Sequence, residues 1–137
     1  MTLQELSRHV KLLEQLADAE DLLASLEVAA LPGAQVFTGL PRAPGISDSV
    51  GNMAVEIAAV KEHIRALKTE ITRSEVAVAA FIDTIGDPLL LVIFRLRFIR
   101  GLTWKETAAA VGGRNTEETV KKTCYRYLAG RKGADGQ

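Results

Sequence analysis

The chain has 137 residues, 47% of them hydrophobic and 5% aromatic, with one cysteine and 17 Lys/Arg against 17 Asp/Glu. That length holds one domain, or one domain with a helical extension, and an aromatic-poor composition rich in Ala and Leu favours helices over strands. One cysteine excludes an internal disulfide and any multi-cysteine metal site, and it suits a reducing cytosol.

The longest uninterrupted apolar run, residues 88–94, falls far short of the ~20 residues that span a bilayer. The opening MTLQELSRHVK lacks an apolar signal core, so secretion is not expected. The zero net charge is unevenly spread. Residues 1–87 carry seven Lys/Arg against thirteen Asp/Glu, and residues 88–137 carry ten against four. An acidic front and a basic end point to a nucleic-acid-binding C-terminal part joined to something else.

Thr2 is placed to cap a helix over residues 2–30. Leu3, Leu6, Val10 and Leu13 follow a 3-4 rhythm; Leu16, Ala19, Leu23, Leu26 and Ala30 resume it after a three-residue slip, the kind that locally overwinds a coiled coil. Glu14, Asp18, Glu20, Asp21 and Glu27 make the outer face acidic, and His9 reads as a solvated surface residue. Residues 31–48 hold three of the four prolines and three glycines, a loop longer than most connections. Its apolar Val36, Phe37, Leu40 and Ile46 are candidates to tuck against the helices. No phosphate-cradling glycine pattern occurs in it.

Ser47 or Asp48 then caps the longest predicted helix, residues 48–85, ~57 Å of rod at the helical rise. Val50, Met53, Ile57, Val60, Ile64, Leu67, Ile71, Val78, Phe81 and Ile85 hold a heptad rhythm in which Ser74 is the only polar intruder. A repeat sustained that far, β-branched at every first position, is the pattern of a coiled coil and predicts self-association as a homodimer or higher oligomer. A second stripe of small residues, Ala54, Ala58, Ala66, Val76 and Ala80, offers the alternative of an antiparallel hairpin with the first helix. Both contacts can coexist in a four-helix dimer core.

The stretch 87–128 reads as three short helices parted by glycines. Pro88 opens the first, with Asp87 before it, and Gly101 ends it where a left-handed residue is needed. Leu90, Ile93, Leu96 and Phe98 or Ile99 are its expected core, with Arg95, Arg97 and Arg100 outside. Thr103 and Glu106 form a capping box for the second, which Gly112 and Gly113 end. Trp104 is expected to pack against the first helix, and Ala108 is small enough for the next helix to come close. In the third, Val120, Cys124 and Leu128 recur at i+4 and point inward, leaving a basic face outward. A helix, a tight turn and a basic helix make the helix-turn-helix pattern, whose last helix enters the major groove. The tail 130–137, GRKGADGQ, is expected to be disordered.

The segment LRFIRGLTWKETAAAVG followed by TEETVKKTCYRYL resembles the fourth conserved region of bacterial sigma factors, in which a G-L-T-x-x-E-I-A helix precedes an S-x-x-T-V-K recognition helix. With Ser47-Asp48-Ser49-Val50-Gly51-Asn52 and the Asp87-Pro88 start, the whole chain also resembles a family of short phage proteins related to late-gene transcription activators. Thr107 stands where that pattern has isoleucine, and extra residues lie between Gly112 and Thr116. The resemblance implies a sequence-specific transcription regulator of phage or prophage origin, working in the bacterial cytoplasm at the nucleoid, on double-stranded DNA and in some cases with RNA polymerase. It implies base-edge roles for Thr116, Glu117 and Lys121. Lys105, Arg114, Asn115, Lys122 and Arg126 are matched to phosphate contacts, with Tyr125 on the same face; Arg126 has an internal ion pair to Glu106 or Glu118 as its alternative.

The expected fold is therefore all-α: a coiled-coil helical hairpin over residues 1–86, serving oligomerisation, and a helix-turn-helix domain over 87–129. No catalytic constellation, metal motif or cofactor fingerprint is present, and His9 and His63 fall on different helices, so enzyme chemistry is not expected. Two other roles are compatible with the pattern. One is the DNA-recognition subunit of a phage terminase. The other is an adaptor whose helix-turn-helix binds a protein and no DNA.

Overall fold

The computed structural model describes residues 1–32 and 53–135. Among the described residues the regular elements are helical throughout: α1 (Leu3–Ala29), α2 (Ala54–Ile82), α3 (Pro88–Phe94) continued by a π-helical turn (Arg95–Ile99), α4 (Trp104–Val111) and α5 (Glu117–Asp135). The expectations for the loop from Gly33 onward, its four apolar residues, the Ser47 or Asp48 cap and Val50 lie outside the described residues.

The helix ends are written in short polar motifs. Thr2 Oγ1 accepts from Glu5 N–H at 3.2 Å while Glu5 Oε2 accepts from Thr2 N–H at 2.9 Å, a reciprocal cap on α1. Asp87 Oδ2 accepts from Leu90 N–H at 3.3 Å, and Pro88 follows at the position where its missing N–H costs nothing. After the π turn, Gly101 takes φ +74°, a conformation that side-chain-bearing residues rarely adopt. Leu102 N–H then donates back to Leu96 C=O at 3.0 Å.

The chain divides into two compact units, one of residues 15–69 and one joining Met1–Glu14 to Glu70–Gln137. This departs from the boundary expected at 86/87. The second unit has one apolar cluster drawn from both ends of the sequence: Leu6 and Val10 of α1, Val78, Phe81, Ile82 and Ile85 at the end of α2, and Leu90, Ile93, Phe94, Phe98, Ala108, Val120, Cys124 and Leu128. The three short C-terminal helices bury too little by themselves, and the ends of the two long helices complete their core. Within residues 15–69, Ala19, Ile64 and Leu67 are buried. The slip in the α1 heptad, near Leu13–Ala19, falls where the two units divide.

The heptad stripe assigned to oligomerisation is largely occupied inside a single chain. Ile64 (7%), Leu67 (5%), Ile71 (8%) and Val78 (2%) are buried, and Met53, Ile57 and Val60 are half-buried. The stripe of Ala54, Ala58, Ala66, Val76 and Ala80 is exposed. A heptad pattern records that a face is covered, and an intramolecular neighbour satisfies it as well as a second chain does.

Three further expectations change. His9 is not a surface residue: it is 1% exposed, with Nδ1 hydrogen-bonded to Ser74 Oγ and Nε2 without a partner. Ser74, the polar interruption of the heptads, thus meets the polar interruption of α1. The inward face of α3 and its π turn also differs from the expected one, following Leu90, Ile93, Phe94, Arg97 and Phe98. Phe94 becomes fully buried, Leu96 only half-buried, and Arg97 turns inward to half-burial, not outward beside Arg95 and Arg100. Finally, α5 runs through Asp135, so the helix continues past Gly130 into the stretch expected to be disordered.

Two measurements check this account. Residues 87–137 alone lack Leu6, Val10, Val78, Phe81, Ile82 and Ile85, and we expect that fragment to show no cooperative thermal unfolding by circular dichroism; a sharp transition matching that of the full chain would contradict the shared core. Burial also lowers the His9 pKa, which Glu75 nearby only partly offsets. The unfolded chain therefore binds the proton more readily than the folded one. His9 contributes its full stability above the ordinary histidine pKa of ~6.5 and loses it progressively as pH falls below that value. Melting temperatures between pH 8 and pH 5 should fall more steeply for the natural chain than for His9→Leu; parallel curves would remove the assignment.

Candidate nucleic-acid interface

The outer face of the C-terminal unit is built from α4, the turn after it and α5. Thr103 caps α4 as expected: its Oγ1 accepts from Glu106 N–H at 3.0 Å, and Glu106 Oε1 accepts from Thr103 N–H at 2.9 Å. At the far end Gly112 N–H donates to Ala108 C=O at 3.0 Å, and Gly112 and Gly113 hold φ +65° and +66°. This left-handed pair turns the chain sharply, which lets α5 come back onto α4 over the small, buried Ala108.

Asn115 fixes the turn. Its Nδ2 donates to Gly112 C=O at 2.9 Å, with its own backbone N–H on the same oxygen at 3.3 Å. Thr116 then caps α5, its Oγ1 accepting from Thr119 N–H at 3.2 Å, while Thr119 Oγ1 accepts from Thr116 N–H at 2.7 Å. Thr119 stands where a capping box has Glu or Gln. Asn115, half-buried, and Thr116, exposed, are thereby engaged in shaping the turn.

Val120 (1%), Cys124 (0%) and Leu128 (7%) form the inward row of α5, as their spacing implies. Burial pushes the Cys124 thiol up to about 12, opposed by the charge of Arg97, so it packs as an apolar group. The outward side carries two i,i+4 rows, Glu117–Lys121–Tyr125 and Glu118–Lys122–Arg126, all exposed. Lys122 Nζ lies 3.3 Å from Glu118, an exposed pair contributing little stability. Lys121 Nζ instead lies 5.8 Å from the Tyr125 ring centroid. Lys105 on the first turn of α4 and Arg114 in the turn are exposed. Of the nine residues expected to meet DNA, eight are exposed and Asn115 is half-buried, with Asn115 and Thr116 engaged in the turn.

Trp104 is half-buried. Its ring meets Phe98 edge-on at 5.9 Å and Tyr125 edge-on at 6.1 Å, with the Arg97 guanidinium carbon 4.9 Å from its centroid. Arg97 Nη1 donates to Leu102 C=O at 2.8 Å, and burial lowers its pKa, offset chiefly by Glu14. Arg97, expected outside, lies three residues after Phe94 and four after Ile93, on the face those residues turn inward.

Thr107, the residue standing in place of isoleucine, is 0% exposed and its Oγ1 has no hydrogen-bond partner. Among the described residues no three His, Cys, Asp or Glu side chains gather as a metal site, and no helix is long and apolar enough to cross a membrane. No protein-family model matches this chain, and no curated protein or solved structure matches it either.

An unsatisfied buried hydroxyl costs ~1–3 kcal/mol, so Thr107→Val should stabilise the protein by about 1 kcal/mol. The urea midpoint should rise with no change in its slope; a lower midpoint would show that Oγ1 has a partner.

Proposed function

We propose that this chain is a sequence-specific DNA-binding regulator of transcription, of phage or prophage origin. Helices α4 and α5 form a helix-turn-helix with α5 as the recognition helix, and residues 15–29 and 54–69 are the two arms of a hairpin. The observation that carries the reading is the division of α5 into two faces. Its apolar row is wholly used in the core, while Lys121, Tyr125 and Arg126 are exposed, as are Lys105 and Arg114 on α4 and the turn. A face of that chemistry suits a polyanion whose grooves admit a helix.

The concentration of ten of the 17 Lys/Arg in residues 88–137 supports the same reading. So does the resemblance of G-L-T-W-K-E-T-A and T-V-K-K to the sigma pattern. Glu117, unpaired and at the start of the helix, is suited to accept from a cytosine amine. In this reading Asn115 and Thr116 act by holding the turn, Glu117 reads base edges, and Lys121 stands one helical turn on at the phosphates of the same groove.

Selecting bound fragments from bacteriophage and host DNA at low salt, then measuring affinity against salt, tests the reading. Each lost phosphate contact reduces the log–log salt slope by about 0.9. Lys121→Ala with Lys122→Ala should weaken binding and flatten the slope by one to two such steps, at unchanged helicity. Unaltered binding would remove α5 as the recognition helix. No duplex binding by the natural chain at low salt would favour the protein-binding adaptor.

A further inference from the structure

Four side chains join the interior of the C-terminal unit to its outward face. Arg97 donates to Leu102 C=O at 2.8 Å and lies 4.9 Å from the Trp104 centroid. Trp104 meets Tyr125 at 6.1 Å and 87°, and Lys121 Nζ lies 5.8 Å from the Tyr125 centroid. Each aromatic ring is thus met edge-on by its neighbour while a cation approaches it. Arg97 and Trp104 are half-buried, Tyr125 is 38% exposed, and Lys121 is exposed.

We infer that Arg97 is a positioning residue for the DNA-facing surface, holding Trp104 and Tyr125 so that the Lys121 ammonium is presented at a fixed place on α5. The inference rests on the DNA-binding reading for its consequence, although its geometry stands without DNA.

The guanidinium is planar, so one edge can bind the Leu102 carbonyl while its carbon stays over the indole. Its anchor is the residue after Gly101, the point where the chain leaves the π turn for the cap of α4. Arg97 therefore ties the indole to the backbone of the preceding turn. A lysine at the same place has a point charge that serves either the carbonyl or the ring. Tyr125 in turn is fixed by Trp104 on one side, and Lys121 stands one helical turn before it. A long lysine side chain fixed before binding loses less entropy when it meets a phosphate or a base. Lys122, held by Glu118 at 3.3 Å, is not on this path.

A double-mutant cycle on the full-length chain separates this from a structural role. Arg97→Lys and Lys121→Ala should each flatten the log–log salt slope of duplex binding by about 0.9, and the double variant should flatten it no further. Additive losses in the double variant, or an unchanged slope in Arg97→Lys, would overturn the inference. Tyr125→Leu, a change at an exposed residue, should behave like Arg97→Lys, and it decides the matter if Arg97→Lys fails to fold. Free protein supplies a readout that a general loss of stability does not move, the upfield ring-current shift of the Lys121 ε-methylene protons by NMR. Its disappearance in Arg97→Lys supports the positioning, and its persistence refutes it. Because that shift needs no DNA, failure of the natural chain to bind any duplex would remove the DNA reading alone.

Discussion

Phe94 is the side chain around which the C-terminal unit closes. It is fully buried, and its ring meets Phe81 of α2 at 6.0 Å, Phe98 of the π turn at 5.4 Å and Tyr127 of α5 at 5.8 Å. The end of α2, the π turn and α5 are thereby fixed to one ring. Each contact adds ~0.5–1.5 kcal/mol beyond simple burial, which matters in a protein with so few aromatics. Phe98 passes the same order on to Trp104, and Trp104 to Tyr125. An unbroken line of aromatic edges runs from the end of the long helix to the surface proposed to meet DNA.

The other fixed points are backbone events. The π turn carries Phe98 inward after Phe94, and Gly101 releases the chain from it at positive φ. The Gly112–Gly113 pair, with Asn115 clasping Gly112 C=O, sets the entry of α5. Shifting either turn would move the apolar row Val120–Cys124–Leu128 off Phe94 and Ala108. Packing and turn chemistry therefore specify the same arrangement, and such agreement between levels makes a fold well determined.

Much of this was legible in the residues themselves. The Thr2 and Thr103 caps, the Asp87-Pro88 start, the left-handed Gly101 and the inward i+4 row of α5 follow from local rules, and each stands where those rules put it. What escaped depended on partners distant in sequence. His9 looked solvated because its matching polar residue, Ser74, lies 65 positions away. The heptads of α2 mark a covered face, but periodicity does not name the cover, and within the chain Ile64, Leu67, Ile71 and Val78 are already buried. Leu6 and Val10 gave no sign that they complete a core made mostly after residue 77. Phe94 and Arg97 share the face of Leu90 and Ile93, but nothing local shows that an arginine turns inward when its partners are the Leu102 carbonyl and the Trp104 ring. For the candidate site, the outward lysines could be read from spacing, but the capture of Asn115 and Thr116 by the turn could not.

Cys124 gives the protein a property unrelated to any ligand. It is the chain's sole thiol, it has no exposed surface, and it sits mid-helix on α5 against the centre of the core. With its proton held until about pH 12, the folded form presents almost no thiolate. Alkylation can then proceed only through moments when α5 lifts from the unit. The rate at which the natural sequence takes up a thiol reagent is thus a clock for the opening of that helix, with no foreign label introduced.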